Sequence, residues 1–502
     1  MQQMDGVTLS QANTDQLDLL EIPTERLAGN ALQTIISTPD ESVRSLVMII
    51  TVQDELRSLR ANNQENESAS AGAEAQKLAT AILPFGAVAG ATIDALTAEL
   101  VLASIHILSA SSDSSLDDQA LLCVIAYTDV RDPWTTETAF QLASRIIAAN
   151  LPPSRHAEFI VGSILQTYIR PVLSASSSGK LTGSGRPSHF PSGVSNASKS
   201  AFASSWKQSN PPVTTLFHWA VKNADNHTVA SQWPLFLPVL LAFVEDQETK
   251  VKETGMEVLA VFLQKCTLKT LNSSGIGKLL EDAVFPNILS LPSLTPEEES
   301  ARLLRLAYPV MIQLAKADPN PFSTQRRRVL DRLIREGIMA SYFHASQYPM
   351  IVQILMRNAA DVVACLGVYS VKHISGLLQM VESVMADPFA AIYLPSVLAA
   401  AEALRVIISH CWPRIQETHH AEHVLSIITK CWLNCSVDVE EESNGGPLNP
   451  DRNLILQQLK LMAKLLNSTW MTSTNPPMKQ MITDATNREP ELAPLFRDGT
   501  NK

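Results

Sequence analysis

Amphipathic helical periodicity recurs along most of the 502-residue chain and limits its fold more than any other feature. Alternating strand patterns are scarce, whereas apolar residues repeat at three- and four-residue spacing. The pattern predicts helices near residues 39–61, 77–110, 118–129, 134–149, 154–174, 212–224, 233–245, 249–266, 276–289, 296–316, 323–337, 347–365, 372–386, 389–411, 418–435 and 451–470. So many helices cannot share one bundle core, but stacked pairs can bury their faces against neighbouring pairs. The sequence therefore predicts an all-α fold, an α-solenoid of HEAT/armadillo-like antiparallel helix pairs.

Composition and charge narrow the classes of function. The net charge is −11, and residues 1–130 carry 18 acidic and 5 basic side chains. This acidic part would repel phosphates, so we expect no direct nucleic-acid binding. The chain begins without a basic, apolar leader, and its most apolar stretch, 78–93, is shorter than the roughly 20 residues of a membrane helix. We therefore expect no membrane partner and a cytoplasmic and nuclear protein.

Two breaks in the periodicity divide the chain. One is rich in Ser and Gly with scattered basic residues, and the other is acidic and then rich in Gly and Pro. The predicted division is an N-terminal helical region, acidic at its start (1–173), a flexible basic linker (174–211), HEAT-like repeats (212–436), an acidic and Gly/Pro loop (437–450), a C-terminal helix (451–471) and a poorly ordered tail (472–502).

Helix starts are marked by capping patterns. Thr38-Pro39-Asp40-Glu41 and Thr295-Pro296-Glu297-Glu298 each place a hydroxyl, a proline and a carboxylate at the spacing of a capping box. Asp132-Pro133 and Asp387-Pro388 are weaker versions of the same signal. We expect a helix to begin at each of these positions.

The clearest repeat unit spans residues 233–266. Its first helix contains Pro238, which we expect to kink it, and Asp246 marks the following turn. Lys252 lies in the first turns of the second helix, and Gly255 lies on its apolar stripe. A helix glycine costs about 1 kcal/mol relative to alanine. Either close approach of a partner helix or simple tolerance accounts for Gly255.

Tests for catalytic chemistry give little. The chain contains no phosphate-binding glycine motif and no G-x-S-x-G elbow. His419 and His423 share a helix face at the spacing of zinc ligands, but no third ligand follows, and Cys431 and Cys435 lie too far along the same helix. A surface or capping role for the histidines is favoured. We predict no enzyme activity, cofactor, metal or small-molecule substrate, with a metal-dependent hydrolase as a remote alternative.

Three groups of residues are candidates for regulation or partner binding. Arg326, Arg327 and Arg328 open one helix with a basic face, which suits an acidic partner or is simply solvated. Trp412 and Trp432 are candidate interface residues or core residues. Ser114 and Ser115 precede two aspartates at a spacing favoured by acid-directed kinases, or they belong to an unmodified loop.

Two consecutive blocks, 233–263 and 283–315, resemble the Tti-two family, the small HEAT subunit of the Triple T complex. The family pattern has a tryptophan-proline entry, an aspartate turn, a helix with a basic residue and a glycine, and proline-marked segments ending in tyrosine-proline. The matching residues here are Trp233, Pro234, Pro238, Asp246, Lys252, Gly255, Leu291, Pro292, Thr295, Pro296, Tyr308 and Pro309. The resemblance is best over 212–320 and thins toward 435.

The resemblance implies a function as a co-chaperone scaffold. Members of the family bind the Tti-one and Tel-two subunits and act with the Hsp-ninety system. Their clients are the phosphatidylinositol-3-kinase-related kinases of DNA-damage, telomere and growth signalling. The alternative is a HEAT adaptor of another pathway, such as nuclear transport or a phosphatase scaffold.

Overall fold

A computed structural model describes residues 66–81, 95–110, 115–174, 212–417, 419–442, 450–471 and 477–496. Within these ranges the chain is helical with short turns, and none of these residues lies in a β-strand. The fold is all-α, an α-solenoid of HEAT/armadillo-like helix pairs, as the periodicity predicts. The predicted helix at 39–61 and the capping box at Thr38 lie outside the described residues. The predicted linker (174–211) also lies outside them except for its first residue, Ser174, which is helical.

The chain divides into two compact units. Unit 1 comprises the described residues up to Asp246 together with Gln264–Thr270, and unit 2 comprises Gln247–Leu263 and the described residues from Leu271 onward. The boundary passes through the repeat unit predicted at 233–266. Its first helix belongs to unit 1, and most of its second helix belongs to unit 2.

Unit 1 contains seven described helical segments. They are α1 (Asn66–Ala81), α2 (Ala95–Ala110), α3 (Asp118–Ile125), α4 (Glu137–Asn150), α5 (the continuous run 156–174), α6 (Val213–Asn223) and α7 (Asn226–Val244). Side-chain caps fix several of their starts. Asp117 accepts a hydrogen bond from the Ala120 N–H at 2.7 Å, and Thr136 accepts one from the Ala139 N–H at 3.1 Å.

The helix start predicted at Asp132-Pro133 is wrong, because α4 begins at Glu137 and is capped by Thr136. Asp132 instead accepts a hydrogen bond from the Thr215 hydroxyl of α6. Burial raises the pKa of Asp132 to about 6. Burial also opposes ionisation of neighbouring Asp129, but hydrogen bonds from His218 and Arg131 outweigh it and hold the Asp129 pKa well below its usual range.

Helix α7 starts earlier than predicted and bends at a different residue. It begins at Asn226, where the Asp225 side chain accepts a hydrogen bond from the Thr228 N–H at 2.6 Å. The backbone leaves helical geometry at Gln232 rather than at Pro238. Gln232 lies two residues before Pro234. Because Pro234 has no backbone N–H to donate to the preceding turn, it accounts for the bend.

The carboxyl end of α6 is capped by a lysine more than forty residues away. Lys265 donates from its ammonium group to the carbonyl oxygens of Val221, Lys222 and Ala224, at 2.8, 2.6 and 2.8 Å. Burial lowers the pKa of Lys265. These three bonds satisfy carbonyl groups that the end of a helix leaves without intrahelical partners.

Ten described helical segments between residues 249 and 471 lie wholly or partly in unit 2. They are α8 (Thr249–Lys265, of which Gln264 and Lys265 fall in unit 1), α9 (Leu268–Ser273, of which 268–270 fall in unit 1), α10 (Ile276–Ile288), α11 (Glu297–Lys316), α12 (the continuous run 324–345), α13 (Pro349–Leu366), α14 (Ile374–Met385), α15 (Leu394–Glu417), α16 (His420–Glu442) and α17 (Pro450–Met471). A further helix, α18 (Pro477–Arg488), and a short turn of helix at Ala493–Phe496 follow.

From α10 to α17, consecutive helices pack as pairs, and the pairs stack. The second helices α11, α13, α15 and α17 pack on one another in succession. The first helices α14 and α16 also contact each other, as do α12 and α14. This arrangement buries one continuous core between neighbouring pairs, which is how a solenoid is stabilised.

Two predictions at helix ends are wrong. The capping box at Thr295 does not form, because α11 begins at Glu297 with Pro296 before it and no side-chain cap. The acidic loop predicted at 437–450 is partly helical, since α16 continues to Glu442 and α17 begins at Pro450.

The predicted poorly ordered tail contains ordered structure. Residues 477–496 are helical, and Leu492 and Leu495 are buried. This segment packs on α16 and α17. The tail therefore contributes to the core of unit 2 at its carboxyl end.

Three described segments are long and apolar enough, by length and composition, to cross a membrane: Asn226–Val244, Pro349–Met385 and Leu394–Gln416. Half or more of each segment is buried inside the protein. Burial among neighbouring helices accounts for their apolar character.

Candidate partner-binding surfaces

Between-pair turns at 317–323, 367–373 and His419 join the stacked pairs α10–α11, α12–α13, α14–α15 and α16–α17 along one edge of unit 2. Near them lie Arg326, Arg327, Tyr369, Lys372 and Trp412, which we name the basic turn surface. Ser323 caps the start of α12 by accepting a hydrogen bond from the Arg326 N–H at 3.4 Å. The cap places the arginine run in the first turn of α12.

Contacts between elements hold this surface together. The Arg327 guanidinium lies 4.5 Å from the centre of the Tyr369 ring, a cation–π contact between α12 and the turn 367–373. Lys372 and His373 of that turn both bind Asp331 of α12, His373 through its Nε2 at 3.0 Å from Oδ1.

The turn 367–373 is also fixed to α15. Gly367 has a φ of 62° and a ψ of −137°, a conformation that glycine adopts and other residues rarely do. The Ser370 hydroxyl donates to the Gly367 carbonyl at 2.6 Å and lies 3.2 Å from Cys411 Sγ. Cys411 directly precedes Trp412, so the exposed tryptophan lies one residue from the contact between the turn and α15.

The arginine run has two different roles. Arg328 and Arg332 form ion pairs with Glu281 at 3.3 and 3.6 Å, and Glu281 is only 3% exposed. The Arg332 guanidinium also lies 3.5 Å from the centre of the Phe285 ring. Arg328, predicted to bind partners, therefore neutralises a buried carboxylate together with Arg332. Its partner-binding role stays a prediction.

Arg326 and Arg327 form no ion pair with a carboxylate in the part of the chain that the structure describes. Arg326 donates weakly to the Asp318 carbonyl at 3.5 Å. Hydrogen bonds from Ser323 and the Asn320 N–H, and then the Arg326 charge, lower the pKa of Asp318. Both arginines are half-buried, and the Nε atom of each is buried without a hydrogen-bond partner among the described residues.

The two candidate tryptophans lie in different environments. Trp412 is 48% exposed, whereas Trp432 is 5% exposed. The Trp432 indole N–H donates to the Glu491 carbonyl at 2.9 Å, and Lys460 lies over its ring. Trp432 is therefore covered by the carboxyl-terminal segment and offers little surface to a partner.

The within-pair turns of α10–α11, α12–α13 and α14–α15 lie along a second edge of unit 2. Large apolar side chains are exposed in or beside these three turns, and we name them the apolar turn surface: Leu294 (92% exposed), Phe343 (79%, near the end of α12), Phe389 (74%) and Ile392 (84%). Tyr342 and Ser383 hydroxyls lie 2.6 Å apart, and Tyr393 donates to Gln353 at 2.9 Å, so the turns near Phe343 and Phe389 are neighbours. The segments 283–301, 337–356 and 373–404 contain no Lys or Arg.

Sequence reasoning missed the apolar turn surface as well as Tyr369 and Lys372. A signal was present in one case, because Phe389 follows Asp387-Pro388, a turn pattern in which an apolar side chain is out of place. The other residues come together as a surface only when the helix pairs stack, which their local sequence does not indicate.

The predicted phosphosites lie close in sequence to two aspartates that already have hydrogen-bond or ion-pair partners. Ser114 lies outside the described residues, and Ser115 is exposed just before α3. Asp117 caps α3, and Asp118 binds Arg155 at 2.9 Å and the Ser163 hydroxyl. Phosphorylation at either serine stays a prediction.

The two histidines considered as zinc ligands lie in different environments. His423 Nε2 lies 2.8 Å from Glu382, and His419 is exposed. Cys431 and Cys435 are buried, and their mutual hydrogen bond together with burial raises the pKa of Cys431. Among the described residues, no group of three or more His, Cys, Asp or Glu side chains is arranged to hold a metal ion.

The family-pattern residues lie mostly within the helices and turns of the repeats. Asp246, Gly255, Leu291 and Tyr308 are buried. The remaining members are half-buried, namely Trp233, Pro234, Pro238, Lys252, Pro292 and Thr295, or exposed, namely Pro296 and Pro309. Burial raises the pKa of Tyr308 far above its ordinary value.

Comparison with known proteins places the chain in a family. The model of the Tti2 family matches residues 120–392, which is more than half of the chain. The match spans α3 to the turn before α15 and includes both turns around α12. No solved structure matches this chain. The chain belongs to the Tti2 family.

Proposed function

We propose that this protein is a non-catalytic scaffold subunit of the Triple T co-chaperone complex. In this role it binds the Tti-one and Tel-two subunits and supports the Hsp-ninety-dependent maturation and stability of phosphatidylinositol-3-kinase-related kinases. It works in the cytoplasm and nucleus. The single observation that carries the proposal is the match to the Tti2 family over residues 120–392.

The fold is compatible with a binding role. A stack of helix pairs presents a long surface that can hold partners without turnover. In unit 2 both edges expose aromatic or aliphatic side chains, among them Phe343, Phe389 and Trp412. Contiguous exposed apolar patches mark interaction surfaces, and the neighbouring turns near Phe343 and Phe389 bring such side chains together.

The test is co-purification of the full-length chain from native extract, followed by reconstitution with purified Tti-one and Tel-two. We expect both subunits in a fixed ratio with the chain, and we expect the level of client kinases to fall when the chain is depleted. Recovery of neither subunit would overturn the proposal. Binding of a small Ran-type GTPase instead would favour an adaptor of nuclear transport.

A further inference from the structure

We propose that the basic turn surface binds an acidic segment of a partner subunit, with one apolar side chain of that segment lying beside Trp412. The identity of the partner rests on the proposed function. The chemistry of the segment rests on the contacts of Arg326, Arg327, Tyr369, Lys372 and Trp412.

The cationic half of the surface is prepared for carboxylates. Arg326 and Arg327 form no ion pair with a carboxylate in the described part of the chain, and the Arg326 charge acts only on Asp318, whose pKa it lowers. Arginine binds carboxylates through two parallel N–H donors. The Tyr369 ring holds the Arg327 guanidinium at 4.5 Å, which lowers the entropy cost of fixing this side chain in a complex.

The apolar half supplies an anchor site. The contact between Ser370 and Cys411 holds the turn 367–373 against α15, so exposed Val368 and exposed Trp412 lie on adjoining elements. Arg, Tyr and Trp are the residue types most enriched at the energetic centres of protein interfaces. An acidic segment with an aromatic or aliphatic side chain complements both halves of the surface.

A nucleic acid fits the surface less well than a protein segment. The carboxylates of Asp318 and Asp331 lie among the basic residues, and Asp331 pairs with Lys372. A phosphate strand needs a continuous positive groove. Separate carboxylates on a peptide can contact Arg326 and Arg327 while avoiding the two aspartates.

The first experiment measures binding of a designed probe to the full-length chain by fluorescence anisotropy. The probe is a fluorescein-labelled peptide of six glutamates around one central tryptophan. We expect saturable binding that weakens about tenfold when salt rises from about 50 to about 300 mM. A peptide with glutamine for glutamate, and one with alanine for tryptophan, should each bind at least about fivefold more weakly.

The variant Arg326→Glu/Arg327→Glu should weaken probe binding by at least about tenfold. Its matched control is Arg335→Glu/Lys464→Glu, which makes the same charge change at exposed positions outside the surface. Circular dichroism and thermal unfolding check that both variants fold. Equal losses in both variants, equal binding of the glutamine peptide, or tighter binding of an oligothymidine of similar charge would overturn the inference.

Reconstitution separates this inference from the proposed function. If Tti-one and Tel-two co-purify with the wild-type chain and the Arg326→Glu/Arg327→Glu variant loses one of them, both proposals gain support. If both subunits remain fully bound to that variant and the probe does not bind, the inference fails while the proposed function stands. If the probe binds through the two arginines but neither subunit is recovered, the proposed function fails and the acidic-segment site stands.

Discussion

The two edges of unit 2 belong to the same stacked pairs but differ in chemistry. The basic turn surface joins arginines and a lysine to Tyr369 and Trp412, whereas the apolar turn surface exposes Leu294, Phe343, Phe389 and Ile392 from chain segments that contain no Lys or Arg. Both surfaces are formed by turns and by side chains of the helix segments beside them. The comparison teaches that one core can support two edges of different chemistry, one charged and the other apolar.

The largest expected effect tests whether Arg328 and Arg332, which lie beside the basic turn surface, stabilise the fold. Replacing both Arg328 and Arg332 with leucine leaves Glu281 buried without a charged partner. We expect the free energy of unfolding to fall by about 3 kcal/mol, measured by urea denaturation. Adding Glu281→Gln to the double variant should restore part of the loss.

Arg335→Leu is the control for this change, because Arg335 is exposed and only weakly paired. It should alter the free energy of unfolding by less than about 0.5 kcal/mol. A double variant as stable as this control would contradict a structural role for Arg328 and Arg332, and would assign the whole run to partner binding.

The second prediction concerns the turn that carries Tyr369 and Lys372. Gly367→Ala forces a side chain into a backbone conformation that favours glycine. We therefore expect the free energy of unfolding, measured by thermal denaturation, to fall by about 2 kcal/mol. Probe binding at the basic turn surface should weaken as well, because the turn positions both residues. Gly162→Ala is the control, since a Cβ there would meet nothing within 4 Å. Equal stability of the two variants would contradict the claim that the turn needs glycine at position 367 to hold its conformation.

The third prediction is a pH dependence of stability at the contact between α14 and α16. Hydrogen bonds from His423 and Lys430 hold the pKa of Glu382 below its usual range. A lowered folded-state pKa stabilises the protein above the ordinary glutamate pKa, and this stabilisation is lost as the pH falls through the folded-state value.

We therefore expect Glu382→Gln to lower the free energy of unfolding by about 0.5 kcal/mol near pH 6, and to change it little near pH 3. The effect is small because Glu382 is partly exposed to solvent. Exposed Glu422 provides the control substitution, Glu422→Gln. A loss that persists unchanged at pH 3 would show that packing, not charge, causes it.

The smallest expected effect on stability belongs to the apolar edge. Phe343→Ser, Phe389→Ser and Ile392→Ser should each change the free energy of unfolding by less than about 0.5 kcal/mol, because these side chains are mostly exposed. The triple variant should scatter less light on concentration, since apolar patches promote association. The buried comparison is Leu378→Ser, which should cost several kcal/mol. Losses of similar size at exposed and buried positions would mean that the apolar edge is core.

The periodicity was sufficient to predict the described helices from α3 to α17 except α9, because each of the others buries an apolar stripe of adequate length. It missed α9, which has only six residues, and α18, which contains few apolar residues, and it placed the start of α7 too late. The start had a readable signal, since Asp225 lies three residues before Thr228 in the spacing of a helix cap.

The surfaces were less predictable, as the two tryptophans demonstrate. Trp412 ends the sequence IISHCW and Trp432 ends IITKCW, so their local sequences are nearly alike. One is about half exposed and the other is buried because a segment almost sixty residues further on covers it. Exposure here depends on tertiary packing, which local spacing does not encode.

Lys265 has a consequence for chemical labelling. All three hydrogens of its ammonium group are donated to carbonyl oxygens at the end of α6. An acylating reagent or an acetyltransferase needs a free amine lone pair, which appears here only when Lys265 loses a proton that it donates to a carbonyl oxygen and turns away from that acceptor. Although burial lowers its pKa, Lys265 should therefore react more slowly than exposed lysines such as Lys250, and its acetylation would report local opening of the α6 terminus rather than surface accessibility.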